Sequence, residues 1–125
     1  MSATNAFETS LLSHIFANAD IANIGDATGL RGSSTAGNLY ISLHTADPGE
    51  AAVSGQLTSE CAYTSYARVA VVRSGSGWTV SGNNASNAAA VTFPTATGGS
   101  ETATHFGIGT ASSGAGVLLL KGAIN

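Results

Sequence analysis

Asn38-Leu39-Tyr40-Ile41-Ser42-Leu43-His44 decides the fold class, because Leu39, Ile41 and Leu43 alternate with Tyr40, Ser42 and His44. Strict alternation is the signature of a β-strand with one buried face, since successive side chains leave the backbone on opposite sides. Asp47-Pro48-Gly49 then stops the strand as a turn. Pro48 presets φ, and Asp47 and Gly49 suit their turn positions. The same reading applies to Tyr66–Arg73, where Ala67, Val69 and Val71 oppose Tyr66, Arg68, Ala70 and Val72. Ser74-Gly75-Ser76-Gly77 leads from it into Trp78-Thr79-Val80, which is expected to be its hairpin partner. Further short strands are expected at Ala89–Phe93, halted by Pro94, at His105–Gly109 and at Val117–Lys121.

Upstream of these strands the period changes. Phe7, Leu11, Leu12, Ile15 and Phe16 form one stripe at helical spacing, and Asn5 with Glu8 resembles a capping box. Ala19–Gly37 is irregular and rich in glycine, and Ile21, Ile24 and Leu30 supply its apolar anchors. One helix followed by short strands with Gly-rich turns predicts an all-β antiparallel β-sandwich, jelly-roll-like, with one N-terminal helix. The chain is expected to be a single domain over 1–125, with helix and loop in 1–37 and the sandwich in 38–125. Leu39, Ile41, Leu43, Val69, Val71, Phe93 and Ile108 are the expected core.

Composition narrows the function. Charged residues are 9% of 125, with a net charge of −3 and only four Lys and Arg. Nucleic acid is not an expected partner, because each neutralised phosphate needs its own cation. No apolar run approaches the roughly 18 residues that cross a bilayer, so no membrane is expected either. The first residues carry neither a basic cluster nor an apolar run, so no signal peptide is expected. Ala, Gly, Ser and Thr exceed half of the chain, a surface that suits a subunit of a permanent assembly.

Reactive groups are few. His14, His44 and His105 are the only histidines and lack metal-ligand spacing, so neither a metal nor a cofactor is expected. His44 reads as an edge residue bonded to the nearby turn, and the lone Cys61 as a small buried hydrophobe. No Ser stands in a nucleophile elbow, and no enzyme is expected. Glu60 and Arg68 flank the Tyr63 and Tyr66 pair, so Arg68 closes a salt bridge within the chain, stacks on an aromatic ring, or pairs with a carboxylate on another subunit. Phe7, Leu11 and Ile15 on the helix, Arg31 in the loop and Arg68 are the candidate partner-binding residues.

The segment Asn38–Glu50 (NLYISLHTADPGE) resembles a signature of small tailed-phage virion proteins. The resemblance continues through Ser59–Tyr63, Tyr66–Arg68, Trp78, Val91–Pro94, Thr104–Ile108 and Gly114–Gly122. Members are often labelled tail fibre proteins, and others resemble cement or decoration proteins of phage heads. The resemblance implies a virion structural protein and supplies no catalytic residue. A compact, repeat-free sandwich with an arm-like helix and a long loop favours a head cement protein, made in the bacterial cytoplasm and bound to the outer head surface. Its expected partners are several subunits of the phage major capsid protein and further copies of itself, as a dimer or trimer. A tail fibre or adaptor component is the alternative, and a carbohydrate-binding β-sandwich module is the alternative of another class. The last needs an exposed platform from Trp78, Tyr40, Tyr63 or Tyr66.

Overall fold

In the computed structural model, residues 2–22, 24, 29 and 31–124 are described. Leu30, expected as a loop anchor, lies outside them. The elements are α1 (Asn5–Ala17), β1 (Asn38–His44), a 3-10 turn (Gly55–Leu57), β2 (Val69–Val72), β3 (Trp78–Ser81), β4 (Asn84–Asn87), β5 (His105–Gly109) and β6 (Leu118–Ala123). One sheet has the order β2-β1-β5-β6 and the other pairs β3 with β4. Two antiparallel sheets and one N-terminal helix are the make-up of the all-β class that the sequence predicts. Among the described residues no helix is long and apolar enough to cross a membrane.

The chain folds into two compact units, Met1–Asn38 with Val71–Ala90, and Leu39–Ala70 with Val91–Asn125. In the first, Thr4 caps α1 by accepting from the Phe7 N–H at 3.4 Å. The cap is therefore one residue earlier than the Asn5 expected, and Glu8 instead accepts from the Asn83 amide at 3.3 Å. Asn18 ends the helix in the left-handed region, at φ 56°, a conformation Asn tolerates better than most residues. Arg73 then gathers the helix's last carbonyls, donating from Nε to Ile15 O and from Nη2 to His14 O, both at 2.7 Å. Burial of Phe16 against Trp78, with ring centroids 4.6 Å apart, seats α1 on the β3–β4 hairpin.

That hairpin differs from the one expected. Trp78–Ser81 pairs with Asn84–Asn87, in register from Trp78↔Asn87 to Ser81↔Asn84, and not with the strand before it. Gly82 sits at the first central position of the two-residue turn with φ 59°, where a type II′ hairpin turn takes a glycine.

In the second unit β1 lies inside its sheet, antiparallel to β5 from Tyr40↔Gly109 to His44↔His105. Leu39, Ile41 and Ile108 are buried as expected, whereas Leu43, Val69, Val71 and Phe93 are only half-buried. Ala89–Phe93 forms no strand; Phe93 instead stacks on Tyr66. The strand expected at Tyr66–Arg73 shrinks to Val69–Val72 because Ser65 turns the chain at φ 79° and Tyr66 N–H bonds back to Tyr63 O.

Candidate functional site

Among the described residues, three groups of buried or half-buried polar side chains stand out in the second unit. The first is on β1. Ser42 and His44, two residues apart, share the face opposite Leu39 and Ile41, and both are fully buried. His44 Nδ1 lies 2.8 Å from Thr58 O and Nε2 lies 2.9 Å from Ser42 Oγ. A carbonyl only accepts, so in the neutral ring Nδ1 carries the proton and Nε2 accepts from the Ser42 hydroxyl. A hydroxyl on an oriented imidazole is the first half of a nucleophile relay. Here it has no room for a substrate. A Cβ at Gly107, the residue directly opposite Ser42, would stand 2.7 Å from His44 Nε2 and 2.8 Å from Ser42 Oγ. The pair lies over Gly107 of β5 and bridges the Thr58 backbone to the sheet. His44 is thus a core residue inside the sheet, not the turn-bonded edge residue expected.

Gln56 forms the second group. It is fully buried, its Nε2 donates to Tyr40 O at 3.3 Å, and its Oε1 accepts from Ala111 N–H at 3.0 Å. It lies over Gly109 and Gly116, where any Cβ would collide with it. Both of its amide ends are used to join β1 to the chain after β5.

The third group carries charge. Arg68 Nε and Nη2 meet Glu60 Oε1 and Oε2 at 2.7 Å each, a bidentate fork. Nη1 and Nη2 also donate to Ala111 O and Gly114 O, and only 3% of the Arg68 side chain is exposed. Tyr66 donates to Glu60 Oε1 at 2.9 Å and accepts from Leu43 N–H at 3.0 Å. Burial, followed by the Glu60 hydrogen bond, pushes the Tyr66 phenol well above its ordinary range. Its bond to Glu60 and its burial beat the lowering effect of the Leu43 N–H. The group floors a cleft of about 180 Å³ that includes Ser112, Ser113 and Gly114.

Arg68 is therefore turned into its own unit, the first of the three roles the sequence left open, and offers no free fork to another subunit. Arg31 is exposed, 4.0 Å from Asp20. On α1, Phe7 and Leu11 are exposed while Ile15 is half-buried, so the apolar stripe continues past the part that covers Trp78. Cys61 is buried, and burial, with the Glu101 and Glu60 carboxylates, pushes its thiol up; a thiol held neutral is a poor nucleophile. Of the aromatic residues a sugar-binding platform would use, Trp78 is buried, Tyr40, Tyr63 and Tyr66 are half-buried, and Tyr63 packs edge-on against Tyr66. Among the described residues no group of His, Cys, Asp and Glu is placed to hold a metal. Ser42, His44 and Gln56 were not anticipated as buried, because polar types are mostly exposed.

The fold and these groups define a small all-β protein whose buried polar side chains tie its own strands and loops together. The chain matches the family described as Podophage GP4 fiber I protein gp80 over residues 2–125, and it belongs to that family. It is thus a phage virion structural protein. No curated protein and no solved structure matches it. The family agrees with the resemblance seen in the sequence, and its description is of a fibre protein.

Proposed function

We propose that this chain is a non-enzymatic component of a podophage tail fibre, reversing the order in which the sequence ranked head and tail. The observation that carries the reading is the match to a fibre family across residues 2–125. The burial of Ser42, His44 and Arg68 supports a structural role, since side chains sealed inside a unit cannot meet a substrate. The exposed Phe7 and Leu11 of α1 and the loop at Arg31 are the surfaces offered to neighbouring virion proteins. An apolar surface with few charges makes attachment weakly dependent on salt.

Virions lacking this chain test the assignment. They are expected to retain packaged DNA on heating as complete particles do, while adsorption to host cells falls. DNA leakage with normal adsorption would contradict the fibre reading and restore the head cement reading.

A further inference from the structure

We propose that the loop between β5 and β6, residues 110–117, is a lid that opens without the sheet, and that Glu60 latches it shut through Arg68. The device lies wholly in the second unit and does not depend on where in the virion the chain sits. The base of the loop is a closed pair: Thr110 N–H donates to Val117 O at 3.1 Å, and Val117 N–H to Thr110 Oγ1 at 3.0 Å. Beyond this base little of the loop packs. Residues 112–117 are all exposed and Ala111 is half-buried. Among the described residues the N–H groups of 112–116 have no hydrogen-bond partner. Ser112, Ser113 and Gly114 border the cleft of about 180 Å³, so the inner side of the loop is unpacked there as well.

Among the described residues, four hydrogen bonds tie the loop down between its ends. Arg68 Nη1 donates to Ala111 O at 2.9 Å, and Nη2 to Gly114 O at 2.7 Å. Gln56 Oε1 accepts from Ala111 N–H at 3.0 Å, and Gln56 N–H donates to Ala115 O at 2.7 Å. Both holding side chains are themselves buried. Two glycines allow the approach: a Cβ at Gly55 would stand 2.5 Å from Ala115 O, and one at Gly116 would stand 2.6 Å from Ala111 Cβ.

A segment that buries no side chain is as stable as its tethers, not as stable as the core, and such segments open on their own. The direction of Arg68 decides two of the four tethers. A guanidinium is planar, and its N–H groups are fixed in that plane. Glu60 takes Nε and one N–H of Nη2 at 2.7 Å each, which aims an N–H of each Nη at the loop. Glu60 is anchored in turn by the Tyr66 hydroxyl at 2.9 Å and by its bridge to His44 at the end of β1. The Glu60 charge therefore orients Arg68, and Arg68 places the Ala111 and Gly114 carbonyls. Without that charge the guanidinium turns toward water, two tethers are lost and the loop lifts from the cleft.

The test is amide hydrogen exchange of the full chain, read residue by residue by NMR at a series of urea concentrations below the unfolding transition. The Gln56 and Ala111 amides are expected to be protected about tenfold less than those of the β1–β5 ladder, or weaker still. They should also be nearly insensitive to urea, because opening a loop exposes little surface. Glu60→Gln keeps the shape and removes the charge, and is expected to strip about a further tenfold from these two amides while the ladder stays protected. Ser112→Ala and Ser113→Ala alter no tether and should change neither amide. Exchange of the two amides at the ladder's rate and with its urea dependence would overturn the lid, and unchanged protection in Glu60→Gln would overturn the latch. Should Glu60→Gln fail to fold, the urea series on the unaltered chain decides. Either failure leaves the fibre reading standing.

Discussion

Arg68 and Glu60 show what single residues do in this protein. Their fork is buried, and removing one partner strands the other charge away from water. Arg68→Met is therefore expected to lower the unfolding free energy by about 3–5 kcal/mol, while Arg68→Met with Glu60→Leu costs clearly less than the summed single changes. Urea unfolding of the four chains checks both statements. Tyr66 and Cys61 set the alkaline limit. Their pKa values are raised from the ordinary 10.0 and 9.0, so the unfolded chain gives up these protons first. The stability they contribute is complete below pH 9 and falls as pH rises past 9 for the thiol and past 10 for the phenol. Cys61→Ala is expected to flatten the first part of that decline in a pH series of melts, and Tyr66→Phe the second. The salt bridge was legible because charges are scarce here, so Glu60 and Arg68 stood out. Ser42 and His44 were not legible. Alternation placed them on the second face of β1, and only the packing of residues 56–58 onto that face, further along the chain, shows that it is covered as well.

Among the elements, α1 follows most directly from the sequence. Its stripe, its cap within one residue of expectation and its stop at Asn18 are all written in residue types. What the stripe meets was not written, because Trp78 lies far along the chain and read as half of another hairpin. Phe16→Ala is expected to cost about 3–5 kcal/mol and to move the Trp78 emission toward longer wavelengths as water reaches the ring. Unchanged emission would show that α1 does not seat on Trp78. The β3–β4 hairpin eluded the reading for a physical reason: Asn84-Ala85-Ser86-Asn87 is polar on both faces, and strand periodicity is visible only when one face is apolar. Ala89–Phe93 failed in the opposite sense. It has the apolar content of a strand, yet Phe93 finds its partner in the Tyr66 ring instead of a ladder.

For the whole molecule, low charge and abundant small residues pointed to a permanent assembly. The same composition leaves little reactive chemistry, and the structure buries Ser42 and His44 over Gly107 and ties Arg68 into its fork with Glu60. The class of protein was thus legible from sequence, whereas its place on the virion was not, because compactness suits a head protein and a fibre component equally. The family match weighs toward the fibre. The most direct measurement is the position of the chain on intact virions, read by gold-labelled antibody in electron micrographs. The fibre account predicts label confined to the tail end of each particle. Label spread over the whole head surface would contradict it.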